Sequence, residues 1–267
     1  MGSREYTDEE LVLTVNGRER KALVRVPARV TPGGCLLIEL AVDRAYTLDN
    51  YPYNIVSRIF LAAGHRVASL DMPQHGELAD EFGEGLVGIA NAARAGADVF
   101  ADFAAAERAL VDACIARGWA RAGRIVIAGT SRGGHASLLL MAGDARVLAC
   151  AAIAPVTYLP AVTEFADLAD NPIIRRWNAN ALIPHLADRH VFLNIGEEDP
   201  RVAAEHCFDF HARLTAASRN IKPVLYTLPG ATHGPAFLDP GYHAAAGFLL
   251  ARCADAIKGD VAPPEAV

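Results

Sequence analysis

The sequence has no excess of basic residues, no long apolar run and no signal-like start. Its 25 lysines and arginines against 31 acids give a net charge of −6. This charge argues against a nucleic-acid partner, because binding to phosphates begins with a basic face. The longest charge-free apolar run, residues 147–163, contains two prolines and is short for a bilayer span. The first ten residues are polar and acidic, unlike a secretory signal, so we expect a cytoplasmic protein that uses no membrane.

The cysteines show none of the paired spacings that mark a disulfide framework or a zinc site. They are odd in number and set mainly in apolar segments, which favours buried thiols in a reducing compartment. Their positions are Cys35, Cys114, Cys150, Cys207 and Cys253.

Short apolar runs alternate with helical patterns along the chain. Hydrophobic residues make up 52% of the sequence and charged residues 21%, enough apolar side chain for a sizeable core. Continuous apolar runs indicate strands covered on both faces, and the helices between them indicate parallel pairing. We predict one α/β domain over residues 1–267, with a mainly parallel sheet of about eight strands covered by helices on both faces. The predicted strands are residues 11–16, 22–26, 35–40, 66–70, 124–128, 147–153, 191–195 and 224–228.

Two segments interrupt this alternation. Residues 73–96 are rich in glycine, alanine and acids, which predicts a long loop with a short helix. Residues 161–189 form an insertion before the next strand. Long connections at the carboxyl ends of strands often shape a binding site. The insertion is therefore a candidate lid or, alternatively, an additional packing helix.

The most informative segment is residues 129–133, a Gly-Thr-Ser-Arg-Gly turn between an apolar strand and an apolar helix. A serine on so sharp a turn has a strained backbone, and the flanking glycines let the turn close without a Cβ clash. A phosphate-binding loop would need lysine followed by serine or threonine after the glycines, where this chain has His-Ala. The Gly-x-Gly-x-x-Gly match at residues 83–88 follows an acidic loop where a dinucleotide fold needs a strand. We interpret Ser131 as a nucleophile, with a purely structural turn as the alternative.

A serine hydroxyl is a weak nucleophile that needs a general base, itself oriented by an acid. Asp199 comes just after a predicted strand, and His233 comes just after the last strand in a glycine-flanked loop. The neighbouring Glu197 and Glu198 are interpreted as solvated surface charges. The chain order is therefore Ser131, Asp199, His233.

In this order and at these positions the sequence resembles the α/β-hydrolase superfamily. The motifs at residues 129–134, 196–202 and 230–234 are similar to the branch that contains dienelactone hydrolases and the catalytic domain of prolyl oligopeptidases. The similarity covers roughly residues 20–255. It implies an α/β-hydrolase fold in which Ser131 is the nucleophile, His233 is the general base and acid, and Asp199 orients the imidazole.

The resemblance also implies an oxyanion hole built from two backbone N–H groups. One belongs to Arg132, directly after the nucleophile, and the other comes from the loop after strand 35–40. Many relatives carry His-Gly-Gly or His-Gly-x-Gly in that loop, where this chain has Glu-Leu-Ala-Val-Asp-Arg. We assign the second donor to Val42, with Ala41 as the alternative.

Two further side chains are candidates for the substrate pocket. His75 lies in a His-Gly turn of a kind that superfamily members often carry, so it either shapes the loop near the site or contacts substrate. Trp177 and the isoleucines before it suggest a pocket for a small or medium apolar acyl or alcohol group. Arg175 and Arg176 either anchor a carboxylate or form a solvated charge pair.

These residues together predict a serine hydrolase that cleaves a carboxylic ester of a small or medium-sized substrate through an acyl-enzyme. The chemistry implies no metal, no cofactor and no partner besides the small-molecule substrate, and it leaves the oligomeric state open. A serine at position 131 argues against dienelactone hydrolase activity itself, since those enzymes use cysteine. Small-peptide, amide and thioester hydrolysis would use the same residues. The rival hypothesis is a non-catalytic α/β-hydrolase scaffold that binds a small ligand.

Overall fold

Apolar runs of the sequence pair into one sheet in the computed structural model, which describes residues 5–259. Within that range eight strands lie in the order β1-β2-β4-β3-β5-β6-β7-β8. All neighbours from β4 to β8 are parallel, whereas β2 is antiparallel to both β1 and β4. The strands are β1 Tyr6–Val15, β2 Arg18–Pro27, β3 Leu36–Leu40, β4 Arg66–Leu70, β5 Ile125–Thr130, β6 Val147–Ile153, β7 His190–Gly196 and β8 Val224–Leu228.

Helices cover this sheet in two groups. Helix α2 packs against α9 in one group, while α4, α5, α7 and α8 contact one another in sequence in the other. This arrangement confirms the predicted α/β-hydrolase fold. The helices are α1 Arg44–Asp49, α2 Ile55–Ala62, α3 Gly85–Arg94, α4 Val99–Ala116, α5 Arg132–Gly143, α6 Pro172–Trp177, α7 Ala179–Leu186, α8 Ala204–Ala217 and α9 Asp239–Gly259.

The burial of each strand follows its place in the sheet. Every residue of β3 and β5 is buried, because helices lie on both faces of the sheet centre. In the second half of β1, residues 11–15, buried and exposed positions alternate instead, and Val12 is 57% exposed. The reason is that only one face of this edge strand meets the core. All five cysteines are buried and free. No helix within residues 5–259 has the length and apolarity needed to cross a membrane.

The insertion at residues 161–189 packs closely on neighbouring helices. It contains a short 3-10 turn, Thr163–Phe165, besides α6 and α7, and Phe165 and Ile174 are fully buried. The Asn171 side chain caps α6 and also donates to the Ala93 carbonyl at 3.0 Å. An exposed ion pair between Arg94 and a carboxylate of the insertion adds a further contact. These contacts attach the insertion to α3.

Candidate active site

Ser131 lies at the turn from β5 into α5, with φ 58° and ψ −114°. This positive φ is rare for a residue with a side chain and marks a strained backbone. Glycine is required on both sides of the turn. A Cβ at Gly129 would collide with the Gly133 carbonyl, and a Cβ at Gly133 would collide with the Leu40 carbonyl of the neighbouring strand. The serine hydroxyl is therefore held at the carboxyl end of β5.

Two side chains from other strand ends reach this hydroxyl. Asp199 follows β7 and His233 follows β8, and because these strands are parallel to β5 all three residues meet at one edge of the sheet. The His233 Nε2 atom lies 3.1 Å from Ser131 Oγ. The His233 Nδ1 atom lies 2.7 Å from Asp199 Oδ2. With Nδ1–H donating to the carboxylate, Nε2 is left to accept from the serine hydroxyl.

The Asp199 carboxylate is fully enclosed and well supplied with donors. Its side chain has no exposed surface, whereas 25% of the His233 side chain is exposed. The backbone N–H groups of Arg201 and Val202 donate to Asp199 Oδ1 at 2.9 and 3.3 Å. These bonds fix the carboxylate so that its second oxygen faces the imidazole. Glu197, two residues earlier, is exposed, as predicted.

The structure corrects the second oxyanion donor. The N–H of Val42 donates to Thr47 Oγ1 at 3.1 Å, so it is already engaged within its own loop. Ala41 instead lines the cavity at Ser131, and its backbone nitrogen lies next to the start of α5. Arg132, the first residue of α5, has no acceptor for its N–H within the helix. Ala41 and Arg132 are thus the two backbone donors best placed to face the serine.

A small cavity opens at Ser131, with a volume of about 190 Å³. Neither His75 nor Trp177 is part of its wall, which corrects their assignment to the substrate pocket. His75 is buried, its Nδ1 lies 2.8 Å from the Pro73 carbonyl, and burial lowers its pKa, so it shapes the loop. The wall consists of Ala41, Tyr53, Leu86, Thr130, Ser131, Arg132, Arg201 and His233.

Trp177 belongs to the packing of the insertion. Its indole Nε1 donates to the Asp98 carboxylate at 2.8 Å, and its ring lies 6.3 Å from the Phe100 ring. The exposed Arg176 guanidinium lies over the same indole, 4.8 Å from its centre. Aromatic and charged neighbours thus hold Trp177 on α4.

The imidazole of His135 also lies close to the turn between β5 and α5 but forms no hydrogen bond with Ser131, Asp199 or His233. It is fully buried, stacks on Phe100 at 5.6 Å, and burial lowers its pKa to about 4. Its two ring nitrogens have no partner within the described part of the chain. Within residues 5–259 no cluster of three or more His, Cys, Asp or Glu side chains could hold a metal ion.

Sequence reasoning missed the side chains of Tyr53, Leu86, Arg132 and Arg201 in the cavity wall. Tyr53 comes from the loop before α2, which no motif marks. Arg201 follows the acid by two residues, a spacing that places it at the same strand end. The sequence analysis assigns only the backbone N–H of Arg132, as an oxyanion donor. Its position directly after Ser131 is the signal that its side chain lies near the cavity.

Comparison with known proteins agrees with this geometry. Residues 79–246, more than half of the chain, match the prolyl oligopeptidase family. The chain belongs to this family and has the α/β-hydrolase fold. A comparison with curated protein sequences finds no significant match.

Solved structures show the same fold at low sequence identity. An acetyl xylan esterase from Paenibacillus sp. R4 is 15% identical with a TM-score of 0.71, over 94% of this chain and 85% of the esterase. An S-formylglutathione hydrolase from Agrobacterium tumefaciens is 16% identical with a TM-score of 0.69, over 95% and 98%. A puromycin hydrolase is 16% identical with a TM-score of 0.69, over 92% of this chain. The chain spans only 39% of the length of that last protein.

Proposed function

We propose that the protein hydrolyses a carboxylic ester of a small substrate through an acyl-enzyme on Ser131. The observation that carries this proposal is the unbroken hydrogen-bonded chain from Ser131 through His233 to the buried Asp199. A non-catalytic scaffold would have no need to hold three such groups in contact, or to keep a strained serine at the elbow.

In the first half of the reaction His233 accepts the hydroxyl proton as Ser131 Oγ attacks the ester carbonyl carbon. The tetrahedral intermediate places a negative charge on the former carbonyl oxygen, and the N–H groups of Ala41 and Arg132 donate to it. The imidazolium then gives its proton to the alcohol oxygen as the C–O bond breaks. Asp199 stabilises the charged imidazole and keeps it oriented.

In the second half water replaces the alcohol. His233 removes a proton from water as the water oxygen attacks the acyl carbon, and the same backbone donors stabilise the second intermediate. When this intermediate collapses, His233 returns the proton to Ser131 Oγ and the carboxylic acid leaves. The cycle consumes one water and restores the enzyme.

Two observations bear on the size and kind of the substrate. The cavity of about 190 Å³ is smaller than the roughly 300 Å³ or more of typical drug-sized sites, which favours a short acyl or alcohol group. The esterase from Paenibacillus and the S-formylglutathione hydrolase are matched over most of their own length. The cavity thus favours a small substrate, and the likeness to the esterase supports ester chemistry.

Hydrolysis of a small amide or peptide is the second candidate, because the family to which the chain belongs is named for peptidases. The same three side chains would act, with an amine as the leaving group. Comparing p-nitrophenyl acetate and butyrate with aminoacyl p-nitroanilides decides between the two: a kcat/KM for the anilides above that of the esters would overturn the ester proposal.

A fluorophosphonate probe tests the nucleophile directly. We expect labelling of the wild type and of Ser218→Ala, a control that removes another buried serine hydroxyl far along the chain at the end of α8. Ser131→Ala should show no labelling, and its kcat/KM on p-nitrophenyl acetate should fall by about 10⁴-fold or more. A folded wild type that takes up no probe would favour the ligand-binding scaffold.

A further inference from the structure

The side chain of Arg132 brings a positive charge to the cavity wall. Its Nε donates to the Ala41 carbonyl at 3.0 Å, which fixes the guanidinium and leaves its two terminal nitrogens. Within residues 5–259 no carboxylate oxygen lies within 4.0 Å of this guanidinium. Arginine stays protonated in proteins, so the charge persists.

The second arginine of the wall differs in this respect. Both terminal nitrogens of Arg201 bond to the Glu164 carboxylate, at 2.9 and 2.7 Å. That pair is electrically neutral, and its planar fork is already occupied. The two arginines of the wall therefore differ in their contacts: within residues 5–259 Arg201 has a carboxylate partner, and Arg132 has none within ion-pair distance.

Holding a charge without an ion-pair partner in a partly buried position costs free energy. Burial lowers the pKa of Arg132 and the positive charge of Arg201 lowers it further, whereas Tyr53 and Glu164 act in the opposite direction. Arg132 is half-buried and lies near a like charge. An anion beside it would relieve this cost, since charge-assisted hydrogen bonds strengthen where water is excluded.

We propose that the substrate of this enzyme carries a carboxylate close to its scissile ester bond, and that Arg132 binds this carboxylate with its two free terminal nitrogens. The planar guanidinium fits a carboxylate in a bidentate manner. Because Arg132 directly follows Ser131, the anion lies only a few atoms from the ester carbonyl. This assignment rests on the proposed esterase function and deepens it by naming the substrate class.

The test compares matched charged and neutral esters. Mono-p-nitrophenyl adipate and p-nitrophenyl hexanoate have the same leaving group and acyl length, but the adipate has a carboxylate on its acyl side. The compounds 4-acetoxybenzoate and 4-acetoxybenzamide place the charge on the alcohol side. For each pair the measured quantity is the kcat/KM of the charged ester divided by that of the neutral ester.

Arg132→Gln removes the charge and keeps an N–H that can donate to Ala41. We expect the ratio for at least one pair to fall about tenfold or more relative to the wild type, the range of a lost hydrogen bond to a charged group. The intrinsic reactivities of the esters cancel in this comparison. Arg213→Gln is the matched control, because Arg213 is exposed on α8 and pairs with Asp209 at 2.8 Å. It should leave both ratios unchanged.

The outcomes separate this inference from the proposed function. If Arg132→Gln lowers kcat/KM equally for charged and neutral esters, Arg132 only supports the loop at Ala41 and the inference is wrong. If the ratios do not change at all, the inference is equally wrong while the esterase function stands. If the wild type neither cleaves any of the esters nor takes up the fluorophosphonate, it is the proposed function that fails.

Discussion

Two acids of this protein, Asp199 and Glu107, are both buried but differ in their hydrogen bonds. The Asp199 side chain has no exposed surface and accepts from an imidazole and two backbone N–H groups. Glu107 is also completely buried, but neither of its carboxylate oxygens has a partner within the described residues. Burial raises the pKa of Glu107 well above its usual value. Burial therefore disfavours its charged form.

The difference comes from the local backbone. Asp199 lies in a turn at the end of β7, where successive N–H groups point toward its side chain. Glu107 lies in the middle of α4, where the helix consumes all backbone donors in its own hydrogen bonds. A buried acid at a strand end thus finds backbone donors for its side chain, whereas a buried acid in the middle of a helix finds none in its own backbone.

The largest expected effect comes from removing the charge at the first of these sites. Asp199→Asn should lower kcat by about 10³–10⁴-fold while the protein still folds, because the imidazole loses the partner that orients it and stabilises its charged form. Glu107→Gln is the matched control and should retain activity. Steady-state kinetics on p-nitrophenyl acetate provide the measurement. Activity of Asp199→Asn within about threefold of the wild type would exclude Asp199 from this role.

A second experiment examines Glu107 through stability. Since the folded-state pKa of Glu107 is raised, its stabilising contribution is full below the unfolded value near 4.5 and is lost as pH rises toward the folded value. The wild type should therefore lose stability relative to Glu107→Gln from about pH 5 upward, by at most ~1.4 kcal/mol per pH unit. Urea unfolding between pH 5 and 9 measures the difference. Parallel curves would show that Glu107 is ionised in the folded protein.

The smallest expected effect is that of Glu39→Gln on the pH dependence of the free energy of unfolding. Glu39 lies in the buried strand β3 and has one donor, the Ser57 N–H at 2.9 Å, and burial raises its pKa to about 8. As for Glu107, the folded-state pKa is raised, so the contribution of Glu39 to the free energy of unfolding declines from about pH 4.5 and is lost by about pH 8. The unfolding free energies of wild type and Glu39→Gln should converge or cross within this window and run parallel above it. A difference that keeps growing beyond pH 9 would contradict the assignment.

The fold and the three polar residues at the strand ends were accessible from the sequence, because their signals are local. The continuous apolar runs gave the central strands to within a residue or two. At the sheet edge the prediction was less complete, and β1 begins at Tyr6 instead of Leu11. Residues 6–10 are mostly exposed and polar, so their pairing with β2 leaves no hydrophobic pattern to read.

The wall of the cavity depends on long-range packing and was beyond a local pattern. Whether Val42 or Ala41 faces the serine depends on the hydrogen bond to Thr47, which fixes the rotation of one loop. Trp177 looked like a pocket residue because it is large and apolar in an insertion. Its bond to Asp98, 79 positions away along the chain, decides its place.

The bond between Arg201 and Glu164 has a consequence for how this protein can change. Glu164 belongs to the insertion, and Arg201 also donates its backbone N–H to Asp199. The insertion is thereby anchored to a residue that also holds the Asp199 side chain. If residues 161–189 are exchanged for those of a relative, the new segment must supply an acid in place of Glu164. Otherwise Arg201 becomes a second arginine of the cavity wall without an ion-pair partner.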